Sequence, residues 1–144
     1  MKKAKFRLAL PLFLKGVLAA FVLFFSVGAL HAQTEANQLV SDLLEAYYPG
    51  ASFVSSETAV QNLQADGEAL YEQAGNVTTR KAKYGTEIKI AYYRLVGMQI
   101  VKGNLSVEDA LIATYPKLEE MCAGTKGELS SKEVLVDVIG LLVE

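Results

Sequence analysis

The chain has 144 residues, half of them hydrophobic (51%), with 14 basic and 16 acidic residues and a net charge of −2. Its single cysteine and single histidine exclude an internal disulfide, a thiolate zinc cage and most nucleophile–base pairs. No P-loop, G-x-G-x-x-G or EF-hand pattern is present, so nucleotide and calcium chemistry have no motif to stand on.

The first 32 residues read as an address. Lys2, Lys3, Lys5 and Arg7 form a basic n-region, and Gly16 to Leu30 is a 15-residue apolar run. That run falls short of the ~20 residues a membrane span needs. Leu30-His31-Ala32 closes it with the small residue at which a signal peptidase cuts, leaving Gln33 first. Pro11 and Lys15 interrupt a longer stretch from Leu8 to Leu30, which would anchor the chain in a membrane if it inserted whole. Either outcome places the rest outside the cytoplasm, in the periplasm or the extracellular space. Cleavage removes five cations (Lys2, Lys3, Lys5, Arg7, Lys15) and no acid, so nine cations face 16 acids and residues 33–144 carry −7. Nucleic acid and anionic lipid repel such a domain and are not expected partners.

Residues 33–144 are expected to form a single all-α domain, a small bundle of four to five helices. From Asn37 to Tyr48, the residues Leu39, Val40, Leu43, Leu44, Tyr47 and Tyr48 recur at helical spacing until Pro49-Gly50 stops them. Ala51 to Ser56 is a connector, with Phe53 set onto the core. A second helix is expected over Glu57–Ala74, capped by Ser55 or Ser56, with a seam of Val60, Leu63, Gly67, Leu70 and Ala74. Gly67 on that seam suggests that a neighbouring helix comes close. Gly75-Asn76 closes the element.

The central element is Gly85 to Gly103. Tyr84, Ile88, Ala91, Leu95 and Met98 form one apolar stripe, while Tyr93, Val96 and Ile100 make the opposite side apolar as well. A helix greasy on most of its circumference is buried on several sides. Ile88, Ile90 and Tyr92 also alternate as a strand would, but an unbroken pattern of this length favours a helix over a hairpin. After Gly103-Asn104, Ser106 caps a helix with Glu108 and Asp109 in its first turn, and Val107, Leu111, Tyr115, Leu118 and Cys122 carry the stripe. Pro116 within it is expected to kink or split that helix. Ser130 and Glu133 form an S-x-x-E capping box, opening a last helix that buries Val134, Leu135, Val138, Leu141 and Leu142. A positive segment from Arg80 to Lys102 lies between two negative ones, which favours antiparallel neighbours. No second copy appears at a period of 34 residues, so the chain is not read as a helical repeat.

His31 leaves with the signal, so residues 33–144 have no imidazole for a general base or a metal ligand. Neither a metal nor a cofactor is expected. Glu119-Glu120 and Asp66 with Glu68 are the carboxylate pairs, but neighbours at such spacing point apart on a helix and read as solvated surface. Cys122 has two readings, a small buried apolar residue or an intermolecular disulfide. Asn76-Val77-Thr78 and Asn104-Leu105-Ser106 match the glycosylation sequon.

Seven tyrosines with no tryptophan are the one unusual feature, and Tyr47-Tyr48 and Tyr92-Tyr93 are adjacent pairs. Tyr47, Tyr48, Tyr92, Tyr93 and Arg94 are therefore the candidate binding residues, since tyrosine and arginine are favoured at interfaces. The first expectation is an exported, non-enzymatic protein that binds another envelope or secreted protein or itself. The alternative is a carrier holding a small apolar ligand under Tyr92, Tyr93 and Met98.

Overall fold

The computed structural model describes the backbone of residues 29–144 and the side chains of residues 35–144. The predicted signal segment and its cut lie outside the fully described residues. Five helices follow: α1 (Ala29–Tyr47), α2 (Ser56–Gln73), α3 (Arg80–Val101), α4 (Val107–Ala123) and α5 (Ser131–Leu142), with a short 3-10 turn at Ala74–Asn76. The fold is all-α, as the periodicity implied. None of the described helices is long and apolar enough to cross a membrane.

Each of the last four helices begins where a hydroxyl can satisfy an otherwise unpaired amide. Ser55 accepts from Thr58 N, Thr79 from Ala82 N, Ser106 from Asp109 N and Ser130 from Glu133 N. The starts of α2, α4 and α5 are legible in the sequence, whereas α3 begins at Arg80, five residues before the expected Gly85, because Thr79 caps it there. α1 ends in a turn in which Ala51 N donates to Tyr48 O, with Gly50 at φ +78. At the end of α3 the left-handed residue is Asn104, at φ 53. Gly103 serves a different need: a Cβ there would stand 2.7 Å from the Gln99 carbonyl.

Helices α2 to α5 form a ring in which each packs on the next and α5 returns to α2. α3 also reaches α5 across the middle, whereas α2 and α4 share no comparable face. Links of five to seven residues force the chain to reverse at each step, the up-and-down bundle pattern. α3 touches all three neighbours, which makes it the central helix.

Its buried face differs from the predicted stripe. Tyr92, Tyr93, Leu95, Val96 and Ile100 are buried, while Tyr84, Ile88, Ala91 and Met98 are half-buried. With three neighbours, the face aimed at the ring's centre wins over the most regular apolar row. In α2 the buried residues are Ala59 and Leu63, and Ala74 of the expected seam is exposed beyond the helix end. In α5, Ile139 is buried where Leu141 was expected, and Leu141 is half-buried.

α4 is one helix through Pro116, so the expected split does not occur. The proline costs about 3 kcal/mol in a helix interior. Val107, Leu111, Tyr115, Leu118 and Cys122 are all buried along it, and full burial of one large apolar side chain contributes about 1.5–3 kcal/mol. Packing on both sides of the proline outweighs its cost.

One pairing was not foreseen. Phe53 and Val143 form an antiparallel bridge, with Val54 N donating to Leu142 O and Glu144 N to Ser52 O. Asn62 Nδ2 donates to the Leu141 carbonyl at 2.9 Å, satisfying the last turn of α5. Thr125, buried in the α4–α5 loop, donates to Cys122 O and accepts from Leu129 N.

Two glycines make opposite predictions. A Cβ on Gly67 would meet only Tyr93 Cδ2, at 3.7 Å, so the helices do not need glycine there. Gly67→Ala is expected to stabilise by about 1 kcal/mol in urea unfolding. A Cβ on Gly140 would lie 3.2 Å from Tyr48 Cζ and closer still to its hydroxyl, which donates to the Val136 carbonyl at 3.0 Å. Gly140→Ala should gain about 1 kcal/mol of helix propensity only once Tyr48 is truncated to alanine. With Tyr48 present that gain should disappear. Equal effects in both backgrounds would show that the ring does not depend on the missing Cβ.

Candidate functional site

The five predicted binding residues do not converge. Tyr47 ends α1 and is 60% exposed. Tyr48, next to it, lies against α5. Tyr92 is fully buried and faces α4, where its hydroxyl is 3.0 Å from Thr114 Oγ1. Thr114 is itself buried and donates to the Ala110 carbonyl at 2.7 Å. Tyr93 is 5% exposed and faces α2, donating to Asp66 Oδ2 at 2.7 Å. Arg94, on the same helix, is half-buried, with its Nε shielded from solvent. Adjacent helical residues point about 100° apart, so each pair sends its rings to different neighbours.

These contacts account for Tyr92, Tyr93 and Tyr115, whereas Tyr47 and Tyr71 are exposed. A phenol fills a large volume in the ring and still carries a polar tip that must be bonded once buried. Each neighbour of α3 or α4 supplies one such bond: Thr114 for Tyr92, Asp66 for Tyr93 and Ser131 Oγ, 2.9 Å away, for Tyr115. Asp66, which the sequence places among surface acids, is instead the acceptor of the α2–α3 contact. Its signal in the sequence is faint, because nothing along the chain links residue 66 to residue 93.

The electrostatics are those of a packed interior. Burial pushes the Tyr92 phenol well above its ordinary range, and burial together with the Asp66 hydrogen bond does the same to Tyr93. Tyr115 and Cys122 are raised by burial too. A thiol held protonated in a core is a poor nucleophile, and Cys122, 4% exposed, cannot reach another chain while the helix is packed. Burial lowers the Arg94 guanidinium, an effect that Tyr71 opposes. Lys89 Nζ pairs with Asp137 Oδ2 at 2.9 Å, joining α3 to α5.

An open cleft of about 400 Å³ lies at the start of α3 among Val77, Thr79, Arg80, Lys83, Tyr84 and Glu87. It is half a helix away from the ligand position expected under Tyr92, Tyr93 and Met98. Among the described residues no three His, Cys, Asp or Glu side chains could hold a metal ion together. Comparison of the chain with protein-family models, curated proteins and solved structures finds no match.

Proposed function

We propose that this is an exported, non-enzymatic helical protein that works through its surface, binding another envelope or secreted protein or a copy of itself. One observation carries the reading: Tyr92, Tyr93, Tyr115 and Asp66 spend their polar atoms on one another and on Thr114 and Ser131, inside the bundle. Among the described residues, Tyr47, Tyr71 and Val101 are the large apolar side chains left exposed. Export rests on the basic n-region, the short apolar run and the small residue at Ala32.

The full chain should be produced in a host with a cell envelope. The soluble envelope fraction is expected to hold a protein whose first residue is Gln33. An intact N-terminus retained in the membrane fraction would mean that the segment anchors the chain. The exported protein should form an oligomer in light scattering or retain a partner from an envelope extract. A strict monomer that retains nothing counts against the reading.

A further inference from the structure

α1 is held to the bundle differently from the other helices. α2 to α5 close a ring on one another, whereas α1 shares no broad face with any of them. Over residues 35–47 the buried side chains are Ala36 and Val40, both small. Leu39, Leu43 and Leu44 are half-buried and Tyr47 is exposed, so the larger apolar groups of α1 stay partly in water. α5, at 12 residues, buries five side chains. α2 buries two, but it lies along both α3 and α5 and is bonded to each, through Asp66 to Tyr93 and through Asn62 to the Leu141 carbonyl.

The built contact of α1 comes just past its end. The Tyr48 hydroxyl donates to the Val136 carbonyl at 3.0 Å, and its ring tip rests where a Cβ on Gly140 would stand. Glycine weakens a helix relative to alanine, yet it occupies this position of α5. What the missing Cβ leaves is a notch that fits one phenol.

The chain after Tyr48 confines any movement to a few residues. Residues 49–51 form the turn, with Gly50 at φ +78 and Ala51 N bonded to Tyr48 O. Immediately beyond, Ser52 O accepts from Glu144 N and Val54 N donates to Leu142 O, on either side of the Phe53–Val143 bridge. That clamp ties residues 52–54 to the end of α5. A swing of α1 therefore stops at residue 52 and leaves the ring closed.

We infer that α1 is a latch, a helix that opens about residues 49–51 from a folded α2–α5 core, with Tyr48 in the Gly140 notch as its catch. Opening bares the notch and frees Leu39, Leu43 and Leu44 on one amphipathic arm. The latch goes beyond the surface-binding reading and does not depend on what the protein binds.

The test is amide hydrogen exchange of the exported full-length product in low urea, read by mass spectrometry, with circular dichroism to check the fold of each variant. Residues 35–48 should exchange through an opening that leaves the α3 amides protected. Tyr48→Ala should speed exchange in α1 about ten-fold or more and leave α3 unchanged. Gly140→Ala, which fills the notch from the other side, should act in the same direction and add nothing to Tyr48→Ala in the double variant. Tyr47→Ala, adjacent but exposed, should leave α1 as in the parent. α1 amides that exchange only when those of α3 do overturn the latch. So does a Tyr48→Ala variant that loosens α1 and α3 equally, or that does not fold. Unchanged α1 exchange in folded Tyr48→Ala overturns the catch. None of these outcomes touches the light-scattering and capture results that test the surface-binding reading.

Discussion

Tyr92→Ala is expected to destabilise the domain by about 3–5 kcal/mol, the range for truncating a large aromatic ring in a packed core. The ring is fully buried on the central helix, and its hydroxyl is bonded to Thr114. Alanine would leave a cavity between α3 and α4 and take away one partner of the buried Thr114 hydroxyl, which keeps its bond to the Ala110 carbonyl. Small domains have about 5–15 kcal/mol in total, so this one change should bring the protein close to unfolding at ambient temperature. Tyr47→Ala, at an exposed site, should stay within about 0.5 kcal/mol of the parent. Urea unfolding of the two variants side by side makes the comparison. If Tyr92→Ala unfolded like the parent but lost a bound partner, the ring would belong to a binding surface and its burial would have to open in solution.

The second large effect is at high pH. Tyr92 and Tyr93 have folded-state pKa values raised above their unfolded value by burial. Below that unfolded value, about 10, both states hold the phenol protons and the two groups do not favour either state. Above it the unfolded chain loses protons that the folded chain retains, so stability falls as pH rises. The slope is about 1.4 kcal/mol per pH unit for each phenol, and about twice that for the pair. The domain should therefore unfold steeply between roughly pH 10 and 12. Circular dichroism against pH would show it, and Tyr92→Phe should make the fall shallower. An alkaline limb of equal slope in Tyr92→Phe would mean that this phenol is not buried in solution.

Both predictions concern residues that the sequence marks as unusual but cannot place. Adjacent tyrosines announce that two neighbouring surfaces each receive a ring. They do not say whether those surfaces are protein or solvent. Tyr47 meets solvent although it lies in the apolar row expected for α1, and Tyr92 meets α4 although it lies in neither apolar row expected for α3. Asp66 shows the same limit from the other side. Along the chain it is one acid among four between Glu57 and Gly75, and only the approach of α3 turns it into the acceptor of Tyr93.

The local features of the fold needed nothing beyond the chain itself. Ser55, Ser106 and Ser130 cap the helices they precede, Pro49-Gly50 stops α1, and the apolar row of α4 is buried as its spacing implied. Caps and periodicities are decided by contacts within four residues, where sequence distance and spatial distance coincide. Pro116 is the instructive exception, because the local rule against it is real and the packing of α4 between α3 and α5 overrides it.

The central stretch, Gly85 to Gly103, therefore divides cleanly. The sequence by itself determined that it is a long helix, apolar nearly all round and basic, and that the chain would be organised about it. Only the tertiary structure decided which side is the inside. With α2, α4 and α5 packed on it, the buried arc centres on Tyr92, Tyr93, Val96 and Ile100, and the side bearing Lys83, Glu87 and Val101 is left to solvent. The physical reason is that burial is set by where neighbours stand, and neighbours separated by twenty to fifty residues leave no mark in a helix's own periodicity.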